Sequence, residues 1–362
     1  MVNVLADKNL VKIERFLPPE VNLSLYDPNE IQKIPNGTQA LLIRTVTNIN
    51  PETFPTLPDS LKFIATGSAG IDHVDLEYLH KNNIKFADAA GCNARSVAEY
   101  VAVALLLWAH ERDLDVKNLT MGVIGAGHTG SAVQQILKKP GVQTVLYDPP
   151  RQERESSFRS ATLEEVLASD ILTFHTPLTD KGSYPTFHWL NEEKLKNRSF
   201  RLIINASRGG VIEEKALFEA CRERKVEQYI LDVWENEPDF NDEVARHAYI
   251  KTPHIAGYSI QAKQRASKMI VEALVNHFNI SAHIPDVETP EPKKESSPST
   301  FWSLPDALTY YHPIRDYETR FRMLIGRSSP DKIKGFNRIR TGHPLRNEFQ
   351  YLSLPPILKE LF

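Results

Sequence analysis

Cysteine is almost absent from this chain, which has only Cys92 and Cys221 among its 362 residues. Two distant cysteines cannot form a disulfide framework and are too few for a zinc cluster, so no metal site is expected. Long apolar runs are also missing: the longest covers the nine residues from Val101 to Ala109, whereas a membrane-spanning helix needs about 20. We therefore expect this run to form a buried helix, and the scarcity of cysteine favours a reducing cytoplasm.

A strong excess of one charge is missing as well, because the formal net charge is −3. The composition therefore gives no electrostatic reason to expect nucleic acid or an acidic membrane surface as a partner. The first seven residues, Met1 to Asp7, combine neither a basic start nor a long apolar segment, so no signal peptide is expected. With 41% hydrophobic and 25% charged residues, the chain has an ordinary globular composition. Its length suggests two or three domains of roughly 100–200 residues each.

Short apolar segments alternate with helical segments in two successive series. Strands are predicted at 2–5, 40–43, 62–65 and 84–87, and then at 121–124, 144–147, 171–174, 202–205 and 229–232. Such alternation is typical of parallel sheets in α/β domains. Between the two series, Ser96 and Glu99 have the spacing of a capping box before the apolar run. We therefore predict a long helix from about 96 to 112 that connects two domains.

The last part of the chain has a different character. The segment from Pro285 to Thr300 is rich in proline, serine and charge, which predicts a linker. Residues 301–362 are locally basic and contain too many aromatic side chains for a disordered tail. Since about 60 residues are marginal as an independent fold, this region is expected to pack on another surface.

The segment from Gly125 to Gly130 matches the glycine pattern of dinucleotide-binding turns. It follows a predicted strand and opens a predicted helix, where free backbone amides attract phosphate. Asp148 ends the next strand, 18 residues after Gly130, and a carboxylate there accepts from the ribose 2′-hydroxyl and so favours NAD over NADP. Arg151 could soften that preference. The candidate cofactor residues here are Gly125, Gly127, His128, Thr129, Gly130 and Asp148.

Three further motifs, at 205–210, 232–238 and 252–258, are expected at the carboxyl edge of the sheet, the first two at the ends of the predicted strands 202–205 and 229–232. Oxidation of a hydroxy acid removes a hydride from carbon and a proton from oxygen, and a histidine suits the proton. His254 is the candidate general base, Glu237 the carboxylate that orients it, and Arg208 the fork that grips the substrate carboxylate. Each residue alone is more often structural or simply exposed. All three follow a nucleotide-binding pattern in this order along the chain, and this combination favours a catalytic role.

These motifs, in this order, resemble the D-isomer-specific 2-hydroxyacid dehydrogenase family. The resemblance implies a Rossmann-type NAD domain, 96–257, inserted in a flavodoxin-like substrate domain formed by 1–95 and 258–285. A linker at 286–300 and a small C-terminal α+β dimerisation domain at 301–362 would follow. The family's catalytic arginine, glutamate and histidine map to Arg208, Glu237 and His254.

Within the family, the segments 44–47, 70–75, 90–94, 147–150, 172–177 and 254–258 resemble the branch that oxidises 4-phospho-D-erythronate during pyridoxal 5′-phosphate biosynthesis. That resemblance implies a homodimeric enzyme. It also implies substrate contacts from Thr45, Thr66 and Tyr258, and NAD contacts from Asp148, Thr176, Ala206, Ser207, Arg208, Asp232 and Gly257. Arg44, Thr45, Thr66 and Ser68 are candidates for the phosphate site, together with tail arginines such as Arg340 or Arg346 that would reach across a dimer interface.

The sequence is compatible with two other functions. The chain could be another dehydrogenase of the family, acting on phosphoglycerate or a simpler hydroxy acid. It could also be an NAD(H)-responsive binding protein without catalysis, because fold alone does not fix function. The presence of Arg208, Glu237 and His254 together argues against a pure sensor.

Overall fold

The computed structural model describes residues 1–289, 303–342 and 344–362. The described chain divides into two compact units. Met1–Asn93 and Ser259–Thr289 form the first unit, and Ala94–Tyr258 forms the second together with the described residues from 303 onward. The predicted linker at 286–300 lies mostly outside the described residues, as do the first two residues of the predicted C-terminal domain. The substrate-binding role of the first unit and the cofactor-binding role of the second remain predictions.

The strands form two separate sheets in which all pairs are parallel. The strands are β1 Val2–Asp7, β2 Val21–Tyr26, β3 Ala40–Ile43, β4 Phe63–Thr66, β5 Lys85–Asp88, β6 Thr120–Ile124, β7 Gln143–Tyr147, β8 Ile171–Phe174, β9 Phe200–Asn205, β10 Val226–Leu231 and β11 Ile250–Lys251. The first sheet has the order β2-β1-β3-β4-β5, and the second β11-β10-β9-β8-β6-β7. The first is the flavodoxin-like order and the second a doubly wound order, which confirms the predicted fold class.

Helices connect the strands and cover the sheets. They are α1 Ile13–Phe16, α2 Leu76–Lys81, α3 Ala94–His110, α4 His128–Leu137, α5 Pro149–Arg154, α6 Leu163–Leu167, α7 Glu192–Leu195, α8 Glu214–Arg222, α9 Asp242–His247, α10 Ile260–His277, α11 Leu304–Tyr311, α12 Ile314–Arg322, α13 Ser329–Gly342 and α14 Pro356–Lys359. Single 3-10 turns lie at Val116–Asn118 and Phe349–Tyr351. No helix among the described residues is long and apolar enough to cross a membrane.

Both faces of the first sheet are buried under a hydrophobic core. Alternate strand residues point to opposite sides of the sheet and so contribute to different cores. Leu42 of β3 packs in one core with Ile270 of α10, while the adjacent Leu41 packs in a second core with Leu79 of α2. Strand β2 was missed from the sequence. It lies at the sheet edge, where the polar Asn22 and Ser24 interrupt its apolar pattern.

Helix α3 is buried along nearly its whole length, as predicted, but its start was predicted wrongly. The helix begins at Ala94, so Ser96 and Glu99 lie inside it and do not cap it. The Ser96 hydroxyl instead donates to Glu348 at 2.9 Å, and the Glu99 carboxylate accepts from Arg346 at 2.5 Å and from the Phe349 N–H at 3.0 Å. Both polar residues thus bind the C-terminal segment.

The described residues after 302 are helical and contain no strand, so the prediction of an α+β C-terminal domain is wrong in that respect. Their apolar side chains belong to the same core as the second sheet. The Phe321 ring stacks on Trp234 at 4.9 Å and lies 4.4 Å from Phe240, between ring centroids. These contacts confirm that the aromatic C-terminal segment packs on another part of the protein.

Candidate active site

The glycine-rich turn joins β6 to α4 in the geometry that a dinucleotide needs. Gly125 has φ +88°, and a Cβ there would lie 2.7 Å from the His175 carbonyl oxygen. A Cβ on Gly130 would lie 1.9 Å from the Gly125 carbonyl oxygen, so only glycine lets the helix pack this close. A Cβ on Gly127, by contrast, would meet no atom within 4 Å. Gly127 therefore leaves open space at the N-terminus of α4, where free amides attract phosphate.

Asp148 follows β7 and is anchored beside this turn. Its carboxylate accepts the Ala126 N–H at 2.8 Å and the Arg151 N–H at 2.9 Å. The Arg151 guanidinium donates to the Ala126 carbonyl at 2.6 Å and to the Ser131 hydroxyl at 3.2 Å. A carboxylate at the end of the second strand suits a ribose diol. The charge of Arg151 lies at the same turn, so the predicted preference for NAD over NADP, which Arg151 could soften, stays a prediction.

Two buried polar atoms at the end of β8 also fit a cofactor. The Thr176 hydroxyl and the Nδ1 atom of His175 are buried and have no hydrogen-bond partner among the described residues. The other His175 nitrogen pairs with the Thr173 hydroxyl at 2.9 Å. Burial lowers the pKa of His175 to about 3, so the ring is neutral. Buried polar groups rarely lack partners, and a bound dinucleotide with amide, hydroxyl and phosphate groups would supply them.

The three motifs that follow β9, β10 and β11 are joined by backbone hydrogen bonds. The Asp232 N–H donates to the Asn205 carbonyl at 2.9 Å, and the His254 N–H donates to the Asp232 carbonyl at 2.6 Å. A Cβ on Gly209 would lie 1.9 Å from the Trp234 carbonyl oxygen, so this glycine allows the first two loops to touch. The carboxyl ends of parallel strands meet at one edge of the sheet, where ligands bind in open α/β folds.

Arg208 is held in the first of these loops, after β9. The Asn205 side chain accepts from the Ser207 hydroxyl at 2.8 Å and donates to the Arg208 carbonyl at 3.0 Å. One Arg208 Nη donates to the Ser207 carbonyl at 2.8 Å. Ala206 and Ser207 are buried in the same loop. The loop is thus fixed by its own polar side chains, and its arginine is half-buried at the strand end.

His254 and Glu237 form a direct pair. The Nδ1 atom of His254 lies 2.5 Å from the Glu237 Oε1, and the second carboxylate oxygen accepts the Trp234 N–H at 3.2 Å. His254 has φ +56°, a left-handed backbone conformation that is uncommon for residues other than glycine. Burial alone would raise the pKa of the Glu237 carboxyl, but the charge and hydrogen bond of His254 and the charge of Arg340 hold it below its usual value. Glu237 is therefore an anion, and it holds the His254 ring through Nδ1.

Asp232 holds the backbone of the loop that carries His254. Its carboxylate is buried and accepts from the Thr252 hydroxyl at 2.6 Å and from the N–H groups of Ile255 and Ala256, each at 2.8 Å. The Tyr100 hydroxyl extends this network to Thr252 at 2.7 Å. Burial raises the pKa of Asp232, against the opposing effects of the His254 charge and these hydrogen bonds. Thr252 and Tyr100 were missed from the sequence because their partners lie on other elements.

Comparison with known proteins agrees with this geometry. Residues 100–256 match the family model described as "D-isomer specific 2-hydroxyacid dehydrogenase, NAD binding domain". The erythronate-4-phosphate dehydrogenase of Bacteroides fragilis is 35% identical over 352 residues, which cover 96% of this chain and 97% of that protein. The enzyme of the same name from Proteus mirabilis is 34% identical over 364 residues, covering 98% of this chain and 94% of that protein. The chain belongs to the erythronate-4-phosphate dehydrogenase family.

This family lies within the D-isomer-specific 2-hydroxyacid dehydrogenases, so the chain is an NAD-dependent dehydrogenase. A solved structure shows the shared fold. The NAD-bound 3-phosphoglycerate dehydrogenase of Entamoeba histolytica superposes with a TM-score of 0.62 at 20% identity, over 77% of this chain and 95% of that chain.

The other residues predicted to contact substrate or NAD are divided between the two units. In the second unit, Gly257 and Tyr258 end the loop that carries His254. In the first unit, Thr45 is exposed after β3. Thr66 is buried at the end of β4, where its hydroxyl lies 2.9 Å from the His73 Nε2 and 3.0 Å from the Ser68 hydroxyl. His73 was not singled out from the sequence, because only the fold brings it beside Thr66.

Proposed function

We propose that this chain oxidises 4-phospho-D-erythronate to 2-oxo-3-hydroxy-4-phosphobutanoate with NAD as the hydride acceptor. The substrate is supported by the named relatives, which match nearly the whole chain. The chemistry is supported above all by one observation, the His254–Glu237 pair at the strand ends of a unit that also carries a dinucleotide turn.

The pair explains how the proton leaves. A bound NAD would supply the acceptor for the hydride of the carbon that bears the hydroxyl group. The free Nε2 face of the His254 ring is the base that takes the hydroxyl proton, and the oxygen lone pair then forms the carbonyl. Glu237 holds the ring through Nδ1 and stabilises the imidazolium that forms. In the reverse direction, His254 returns this proton to the alkoxide.

Other residues take binding roles in this proposal. Arg208 grips the substrate carboxylate with its planar fork. Thr45, Thr66 and Tyr258 are proposed substrate contacts. The proposed cofactor contacts are Gly125, Gly127, His128, Thr129, Gly130, Asp148, Thr176, Ala206, Ser207, Arg208, Asp232 and Gly257.

The test is a comparison of substrates. Purified protein is incubated with NAD and, separately, 4-phosphoerythronate, 3-phosphoglycerate, glycerate and lactate, and NADH formation is followed at 340 nm. We expect a clear preference in kcat/KM for 4-phosphoerythronate. A preference for another acid would assign the chain to a different dehydrogenase activity. Binding of NAD without turnover on any of the four would favour the sensor alternative.

We also propose that the protein is a homodimer assembled through its C-terminal helices. Those helices leave large apolar side chains exposed: Tyr310 is 52% exposed, Met323 66% and Ile333 39%. Sedimentation analysis of the full chain should give twice the monomer mass of 41.1 kDa, and a monomer at micromolar concentration would refute the proposal.

The pathway and the location follow from the proposed substrate. We propose that the enzyme acts in the cytoplasm and contributes to the synthesis of pyridoxal 5′-phosphate. A host strain that lacks its own 4-phosphoerythronate dehydrogenase should regain growth without added pyridoxine when it expresses this chain. Failure of an active protein to restore growth would refute the assignment to this pathway.

A further inference from the structure

Arg340 of the C-terminal segment lies against the loop that carries His254. It lies near the end of α13, with its guanidinium carbon 6.0 Å from the centroid of the Tyr258 ring and 5.9 Å from that of Phe336. Tyr258 ends the loop in which His254 sits, and its N–H donates to the Ile255 carbonyl at 2.8 Å. Arg340 therefore reaches the candidate active site within its own chain and does not need to cross to a partner to do so.

The guanidinium of Arg340 lacks an acceptor among the described residues. Its Nε–H is buried and makes no hydrogen bond there. Other arginines of the same segment are paired: Arg315 and Arg322 both donate to Glu318, and Arg346 donates to Glu99. An unsatisfied buried donor on a charged group is unfavourable and rare in folded proteins, so this one points to an anion that binds at the site.

The positive charge of Arg340 acts on the carboxylate of the His254–Glu237 pair. Arg340 contributes to the lowered pKa of Glu237, although burial and the bonds of His254 have larger effects. The two side chains nevertheless form no ion pair in the structure, since Glu237 is bonded to His254 and to the Trp234 N–H. The guanidinium thus lies near this pair, and its buried Nε–H has no acceptor among the described residues.

The substrate has two anionic ends, and they need two cationic sites. If Arg208 takes the carboxylate, the phosphate requires a second cation. Arg44 is a weaker candidate because its Nε already donates to the buried Asp7 at 2.9 Å. Arg346, the other tail candidate, is engaged with Glu99.

We propose that Arg340 binds the phosphate group of the substrate in the active site of its own chain. This inference rests on the proposed function for the identity of the phosphorylated ligand. The planar fork of arginine matches two phosphate oxygens and can use Nε together with one Nη. The C-terminal segment would thereby select a phosphorylated hydroxy acid over a plain one.

The test compares Arg340→Gln, Arg340→Lys and, as a matched control, Arg338→Gln, which removes an exposed arginine from the same helix. Each variant is assayed with 4-phosphoerythronate and with erythronate that lacks the phosphate. We expect Arg340→Gln to raise KM for the phosphorylated substrate about 10- to 100-fold, with a smaller change in kcat. Arg340→Lys should fall between Arg340→Gln and the wild type. Turnover of erythronate, which lacks the phosphate, should change much less in Arg340→Gln than turnover of 4-phosphoerythronate. KM for NAD and the Arg338→Gln variant should stay at wild-type values.

Binding of inorganic phosphate separates this inference from the proposed function. Calorimetry with the NAD-loaded protein should show phosphate binding that is lost in Arg340→Gln and kept in Arg338→Gln. Arg340-dependent phosphate binding without turnover of 4-phosphoerythronate would refute the proposed function but keep the anion site. An Arg340→Gln variant with wild-type KM and wild-type phosphate affinity, or a wild-type protein that binds no phosphate, would overturn the inference.

Discussion

Replacement of Glu237 by glutamine tests the role of its charge. Glutamine has the same shape, and with its amide oxygen turned to the His254 Nδ1–H it can keep the ring in place, although its NH₂ group no longer accepts the Trp234 N–H. What disappears is the negative charge 2.5 Å from the ring nitrogen. Hydrogen bonds to charged groups contribute about 1.5–3 kcal/mol, against about 1 kcal/mol for neutral ones. The imidazolium formed during reaction thus loses about 1–2 kcal/mol, which predicts a roughly 5- to 30-fold lower kcat/KM.

The assay is kcat/KM for 4-phosphoerythronate oxidation between about pH 5 and 9. The lower rate should be present across this pH range. Glu235→Gln is the matched control, since Glu235 lies in the same loop as Glu237 and its carboxylate pairs with a different histidine, His188, at 2.8 Å. Wild-type kcat/KM at every pH in Glu237→Gln, with NAD affinity intact, would show that the charge of Glu237 does not contribute to the rate.

Three further predictions concern the base, the glycine turn and acid stability. His254→Ala should lower kcat by about 10²–10⁴ while NAD binding, measured by fluorescence, stays normal; near-normal turnover would remove His254 from its role. Gly127→Ala should weaken NAD binding without changing the melting temperature, whereas Gly130→Ala should cost about 1–3 kcal/mol of folding stability or more, and equal melting temperatures would contradict this. Burial and the Arg346 charge hold the pKa of His312 well below its usual value, so its stabilising contribution is lost as pH falls below about 6.5, by up to roughly 1.4 kcal/mol per pH unit. His312→Leu should show a shallower loss of stability in acid unfolding than the wild type, and identical slopes would refute the assignment.

Local patterns predicted most of the framework. The strand at Ile171–Phe174 was placed at its observed bounds, and the turn from Gly125 to Gly130 follows a strand and opens a helix as expected. These features succeed because apolar runs and glycine spacing report on contacts within a few residues. Strand β11 was missed because it has only two residues.

The failures involve partners that are distant in sequence. Glu99 looked like part of a capping box, yet it is buried because Arg346, 247 residues away, donates to it. Arg340 was considered for a dimer partner's site because nothing local places it beside Tyr258 of its own chain. The His254–Glu237 pair could be anticipated from the order of the motifs, but the carboxylate of Asp232 that fixes the loop could not.

Transfer of a hydride from the substrate carbon to NAD can be followed by isotopic labelling. The protein is incubated with NAD and 4-phosphoerythronate that carries deuterium on the carbon bearing the 2-hydroxyl, and both products are analysed by mass spectrometry. We expect one deuterium in each NADH formed and an equal amount of the 2-oxo acid. NADH without deuterium, or NAD that stays oxidised while bound, would contradict this hydride transfer.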